Sequence, residues 1–225
     1  MNPEAMGSSN TTLDELKKHS FKVIDATSDL ASAFKPNLAF FERWGSEGFK
    51  WLEALMDYFP DDLIIIGDAK RGDIGNTAKQ YAYSLFIHFD FDAVTLSPYM
   101  GFDSIEPFLS NPKKGVFILC KTSNPSASDF QNVSQNDKKL FELVAKKCFE
   151  WNQNENIGLV VGATVPEEIV EVRKNAPGLP LLIPGVGAQG GSLEKSMEYG
   201  NKDGISLINV SETPKHRSQQ LYKGS

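Results

Sequence analysis

Leu63-Ile64-Ile65-Ile66-Gly67-Asp68-Ala69-Lys70-Arg71-Gly72-Asp73-Ile74-Gly75-Asn76-Thr77 reads as a strand that runs into a charged turn. Its first four residues are apolar, and the run is bounded by Asp and Gly. A run this short fits a strand buried on both faces. Ala78, Tyr81, Ala82 and Leu85 follow at helical spacing. Strand, polar turn and helix together make one βα unit.

The same alternation recurs along the chain. Further strand candidates are Ala33 to Lys35, Ala93 to Leu96, Val116 to Cys120, Leu159 to Val161, Leu181 to Ile183 and Ile205 to Ile208. Between them lie helical stripes: Phe49, Leu52, Leu55 and Met56; Leu140, Leu143, Val144 and Phe149; Ile169 to Arg173; and Leu193 to Met197. Upstream, Thr12-x-x-Glu15 is a capping box that opens a helix carrying Leu13, Leu16 and Val23. Strands alternating with helices predict an α/β fold with a parallel sheet. An open doubly wound sheet and a closed (β/α)8 TIM barrel both fit the pattern.

With 225 residues the chain suits one large domain. Length slightly favours the barrel over the open sheet, and on that reading 1–225 is a single barrel domain in which 1–11 and 212–225 are poorly ordered. Hydrophobic residues make up 40% and charged residues 23%, a balance that points to a globular chain rather than a disordered one. The net charge of −6 argues against a nucleic-acid binder, which usually carries a basic face. No apolar run is long enough for a membrane span, and the polar start lacks a signal-peptide layout. A cytoplasmic protein with neither nucleic-acid nor membrane partners is the expectation. Cys120 and Cys148 form no CxxC, and His19, His88 and His216 are far apart, so neither a disulfide framework nor a metal site is expected.

Four stretches carry candidate chemistry. Asp68 and Lys70 stand two apart at a strand's end and so face one side, with Asp73 beyond the Gly72 turn. Two carboxylates about 4 Å apart repel by roughly 4 kcal/mol at an effective dielectric near 20, and an ammonium between them recovers a similar energy. Lys35, inside an otherwise apolar strand, needs a carboxylate, and Asp68 on the next strand supplies one. Pro184 to Gly191 is a glycine-rich turn between strand and helix, which suits an anion. Thr122-Ser123-Asn124-Pro125 follows a strand and offers hydrogen bonds to a planar heterocycle. Each also has a plainer reading, as a surface turn or a snorkelling lysine.

Taken together these residues resemble the orotidine 5′-phosphate decarboxylases, in their longer bacterial-type branch, from about Phe21 to Ser211. Asp68-x-Lys70-x-x-Asp73 matches that family's D-x-K-x-x-D signature. Ala33 to Asn37, Thr95 to Gly101, Thr122 to Pro125 and Gly185 to Gly191 occur in family order. The resemblance implies a (β/α)8 barrel that forms a homodimer and converts orotidine 5′-phosphate (OMP) to UMP in pyrimidine biosynthesis, with neither cofactor nor metal. It implies Lys70 as the proton donor to C6, Asp68 beside the departing carboxylate, and Lys35 holding the network and the ribose. It places Asp73, Ile74 and Thr77 in the partner subunit's site, Ser123 at the pyrimidine edge, and Gln189, Gly190 and Gly191 at the phosphate.

The chain also departs from the family. Its first strand, of Leu-Asp-Pro type, is not recognisable before Phe21, and only seven strands can be counted. Glu212 stands where the family has a phosphate-gripping arginine, with Arg217 nearby, and the closing helix is not recognisable. An incomplete barrel is therefore expected. Two alternatives to the enzyme stay open: a catalytically inactive truncated relative acting as a binding or scaffold protein, and a relative acting on another sugar phosphate.

Overall fold

The computed structural model describes residues 11–187 and 190–210. The chain opens with α1 (Leu13–Thr27), and the capping box is present: the Thr12 side chain accepts from the Glu15 amide, and the Glu15 carboxylate accepts from the Thr12 amide. Then come β1 (Ala33–Phe34), α2 (Ala39–Glu42), α3 (Gly45–Met56), β2 (Ile64–Arg71) and α4 (Gly75–Tyr83), which runs on into a π-helical turn at Ser84–His88. Next are β3 (Ala93–Leu96), α5 (Glu106–Leu109) and β4 (Gly115–Lys121). A small hairpin, β5 (Ser134–Gln135) and β6 (Lys138–Lys139), precedes α6 (Leu140–Trp151). The chain continues through β7 (Ile157–Val161), α7 (Pro166–Asn175), β8 (Leu181–Pro184), α8 (Leu193–Gly200) and β9 (Ser206–Asn209).

The seven strands read from the sequence form one parallel sheet in the order β1-β2-β3-β4-β7-β8-β9, curled into part of a barrel. Among the described residues β1 and β9 are the two ends of this sheet and do not pair. No strand precedes α1 among the described residues. The hairpin β5–β6 has no counterpart in the apolar pattern, because its strands are short and wholly exposed.

The curl separates two apolar layers. The large one lies between the sheet and the helices, with Leu16, Phe41, Trp51, Phe91 and Phe108 fully buried. The small one lies inside the curl, where Ile66, Ala93, Phe117, Val160 and Leu182 meet, one from each of five neighbouring strands. This inner layer floors the site described next.

Two helical stripes need correction. On α6 the buried residues are Phe141, Ala145 and Cys148, while Leu140 and Phe149 are exposed. On α8 they are Ser196 and Gly200, while Leu193 and Met197 are about half exposed. The α8 case has a steric cause. A Cβ on Gly200 would stand 2.7 Å from Ile183 Cδ1 and 2.9 Å from Ser206 Oγ, so only small residues fit against β8 and β9. There Leu193 and Met197 mark the outer face, while Tyr199 packs against the core from its edge.

Candidate active site

The C-terminal end of β2 departs from a regular ladder. Gly67 pairs with Val94 and Arg71 with Leu96, so Asp68, Ala69 and Lys70 together oppose the single residue Thr95. A bulge of this kind bends the strand and leaves backbone groups without ladder partners. Lys70 takes a left-handed φ of 48°, unusual for a residue with a Cβ. Its amide donates instead to Thr95 Oγ1, at 3.0 Å.

On the other side, the chain past β1 runs alongside Asp68. The Asp68 amide donates to the Pro36 carbonyl (2.9 Å), and the Leu38 amide donates to the Asp68 carbonyl. This pairing brings Lys35 to the carboxylate. Lys35 Nζ donates to Asp68 Oδ2 at 2.7 Å, and Lys70 Nζ donates to Oδ1 at 2.5 Å. Thr95 Oγ1 also donates to Oδ1, at 2.9 Å. Burial by itself raises the Asp68 pKa, but the charges and hydrogen bonds of Lys35 and Lys70 outweigh it and hold the carboxyl below its ordinary value. Asp68 is 7% exposed, whereas the Lys70 side chain is 46% exposed, so the ammonium has access to a ligand.

These groups line a cavity of about 260 Å³, near the lower end of small-molecule sites. Lys35, Asp68, Lys70 and Thr95 form one wall, and Thr122, Ser123 and Asn124 another. Leu119, Val160, Leu182 and Pro184 give the apolar surface a flat heterocycle needs. Gln131 clamps the second wall: its Oε1 accepts from the Thr122 amide at 2.9 Å, and its Nε2 donates to Thr122 Oγ1 at 2.8 Å.

Of the residues singled out in the sequence, Lys35, Asp68, Lys70 and Ser123 meet in this cavity. Asp73, Ile74 and Thr77 are not part of its lining; they sit where the chain enters α4, with Ile74 49% exposed. Gly190 and Gly191 belong to the turn after β8. There the Gly190 amide donates to the Gly187 carbonyl (2.9 Å) and the Gly191 amide to the Gly185 carbonyl (3.1 Å), so both donors are engaged within the turn. Gln189, Glu212 and Arg217 lie outside the described residues. Thr95 stands in the sequence only as the head of the Thr95 to Gly101 stretch, with no role assigned to it, and Gln131 stands out in no way. A threonine inside the buried run Ala93 to Leu96 was the available signal for the first.

Among the described residues no group of three or more His, Cys, Asp or Glu is placed to hold a metal ion. No helix among them is long and apolar enough to cross a membrane.

Comparison with known proteins places the chain. The sequence profile of the Orotidine 5′-phosphate decarboxylase / HUMPS family matches residues 11–211. The orotidine 5′-phosphate decarboxylase of Natronomonas pharaonis is 52% identical over 193 residues, covering 84% of this chain and 71% of that one. Among solved structures, Leishmania donovani OMP decarboxylase superposes with a TM-score of 0.83 at 40% identity, over 89% of this chain and 80% of that one. Leishmania donovani UMP synthase gives 0.84 at 43% identity, and the chain spans 46% of its length.

Proposed function

The chain belongs to the orotidine 5′-phosphate decarboxylase / HUMPS family, and from that premise we propose that it decarboxylates OMP to UMP in pyrimidine synthesis. The observation that supports this most is the Lys35–Asp68–Lys70 array on one wall of a cavity whose other wall carries Ser123. In this reading the pyrimidine lies on the apolar floor with its edge toward Ser123. The C6–carboxylate bond breaks, carbon dioxide leaves, and the electron pair stays on C6. The Lys70 ammonium stabilises that pair and then gives it a proton, yielding UMP. Water returns a proton to Lys70. Asp68 keeps Lys70 charged and oriented, and Lys35 keeps Asp68 ionised while facing the ribose.

The phosphate goes to the turn at Gly185–Gly191, where it competes with the Gly187 and Gly185 carbonyls for the Gly190 and Gly191 amides; Gln189 joins it there. Grip on this remote group supplies binding energy for the chemical step. Asp73, Ile74 and Thr77, outside the chain's own cavity, act in the site of a second subunit of a homodimer. The cytoplasm is the proposed place of action.

The test is the loss of OMP absorbance with purified protein, with Lys70→Ala alongside. Turnover that disappears in Lys70→Ala supports the reading. A folded, cooperatively melting chain without turnover moves it to the second reading, a catalytically inactive relative that binds or scaffolds.

A further inference from the structure

Thr95 is buried at 1% exposure and faces the bulge in β2 alone. Its hydroxyl has two bonds, and they do different jobs. It accepts from the Lys70 amide at 3.0 Å and donates to Asp68 Oδ1 at 2.9 Å. The same Oδ1 accepts from Lys70 Nζ at 2.5 Å. The result is a closed ring: Lys70 amide, Thr95 hydroxyl, Asp68 carboxylate, Lys70 ammonium. One lysine is thus held at both its backbone and the tip of its side chain, through one hydroxyl.

The bulge explains why a hydroxyl is needed there. Three residues of β2 face one of β3, so the Lys70 amide has no ladder carbonyl, and a partly buried donor left without a partner is costly. The left-handed backbone at Lys70 is strained for a side chain with a Cβ and persists only when its surroundings fix it. Thr95 supplies the missing acceptor and, with its proton, fixes which way the carboxylate turns. Valine has the same shape and offers neither bond.

We infer that Thr95 is a positioning residue for the decarboxylation, holding the Lys70 backbone and the Asp68 carboxylate in one fixed relation. The inference rests on the reading of Lys70 and Asp68 as the acting pair. The charged groups facing Asp68 are Lys35 from the end of β1 and Lys70 from β2; Thr95 is its neutral partner from β3.

The test compares wild type, Thr95→Val and Thr95→Ser by two readouts. The first is the NMR titration of the Asp68 carboxyl carbon, which needs no turnover. Loss of a hydrogen bond to the ionised form raises its midpoint by about one pH unit in Thr95→Val, and Thr95→Ser stays near wild type. The second is steady-state kinetics with OMP. Thr95→Val lowers kcat by roughly tenfold to a hundredfold with KM little changed, and Thr95→Ser recovers most of the loss. An unmoved midpoint, or a moved midpoint with unchanged kcat, overturns the inference. If wild type does not turn over OMP, the decarboxylase reading falls and the titration alone decides the role of Thr95. If Thr95→Val does not fold, amide exchange in wild type decides: the Lys70 amide must exchange as slowly as its strand neighbours, and rapid exchange overturns the inference.

Discussion

Lys35 reaches Asp68 from the neighbouring strand, 33 residues away in sequence, and its Nζ lies 2.7 Å from Oδ2. Oδ1 is thereby left to Lys70 and Thr95. Because the folded Asp68 pKa is below its ordinary value, its ionised form stabilises the fold above that value, and the contribution is lost as pH falls through the folded pKa. Wild type should therefore lose unfolding free energy as pH falls from the ordinary aspartate range, about 4, through the folded Asp68 pKa below it. In Lys35→Met the midpoint rises and the acid-dependent loss shrinks. Urea unfolding across this range checks it; superimposable pH profiles for the two proteins would rule it out.

The turn after β8 tolerates no side chain at Gly191. A Cβ there would meet Ala163 Cβ at 2.5 Å and the Gly185 carbonyl oxygen at 2.6 Å. Gly191→Ala must displace the turn, and in a close-packed interior such a shift is not absorbed locally. We expect UMP affinity to fall by at least about tenfold while the protein stays folded. Calorimetric titration with UMP measures this, and unchanged affinity would remove the turn from the phosphate site.

Gln131 lies outside the cavity lining yet binds both the amide and the hydroxyl of Thr122. Gln131→Ala frees the wall that carries Ser123 without touching Lys70. We expect KM for OMP to rise about tenfold, with kcat less affected than KM and the melting temperature nearly unchanged. A fall confined to kcat would contradict this division of labour.

Arg173 is 5% exposed, and its guanidinium donates to the carbonyls of Leu179, Gly200 and Ile205. It ties α7 to the C-terminal end of α8 and to the chain entering β8 and β9. Arg173→Met leaves three carbonyls without this donor, at about 1–3 kcal/mol for each one that stays buried and unpaired. The Ile205 carbonyl keeps the Leu181 amide, so two carbonyls are left unpaired, and we expect a loss of at least about 2 kcal/mol in unfolding free energy, read from urea denaturation.

Much of this was legible in the sequence because strands buried on both faces leave short apolar runs with clear ends. Ala93 to Leu96 is β3 to the residue, and Leu181 to Ile183 is β8 less Pro184. The helices were legible only where the packing partner leaves room. On α3 the space against α1 and α2 takes Trp51, Leu52 and Leu55, and the stripe marks the buried side. On α8 close approach to β8 and β9 demands Ser196 and Gly200, so the same rule points outward. Arg173 and Lys121 are buried charges, and in a sequence a buried charge looks like a solvated one. For the site, D-x-K predicted that Asp68 and Lys70 face one side, and they do. The bulge that gives Lys70 its left-handed backbone depends on the pairing with β3, and pairing is not written in either strand alone.

The order of strands across the sheet is also their order along the chain. Each strand after the first therefore docks beside one that has already been synthesised, and no pairing must wait for a distant partner to emerge. Closing a loop costs more entropy as it lengthens, so adding strands one neighbour at a time keeps each step inexpensive. The domain can be built from its N-terminal side as it leaves the ribosome. Lys35 and Asp68 are then in place before the wall with Ser123 exists, and the charged pair is assembled ahead of the cavity it will line.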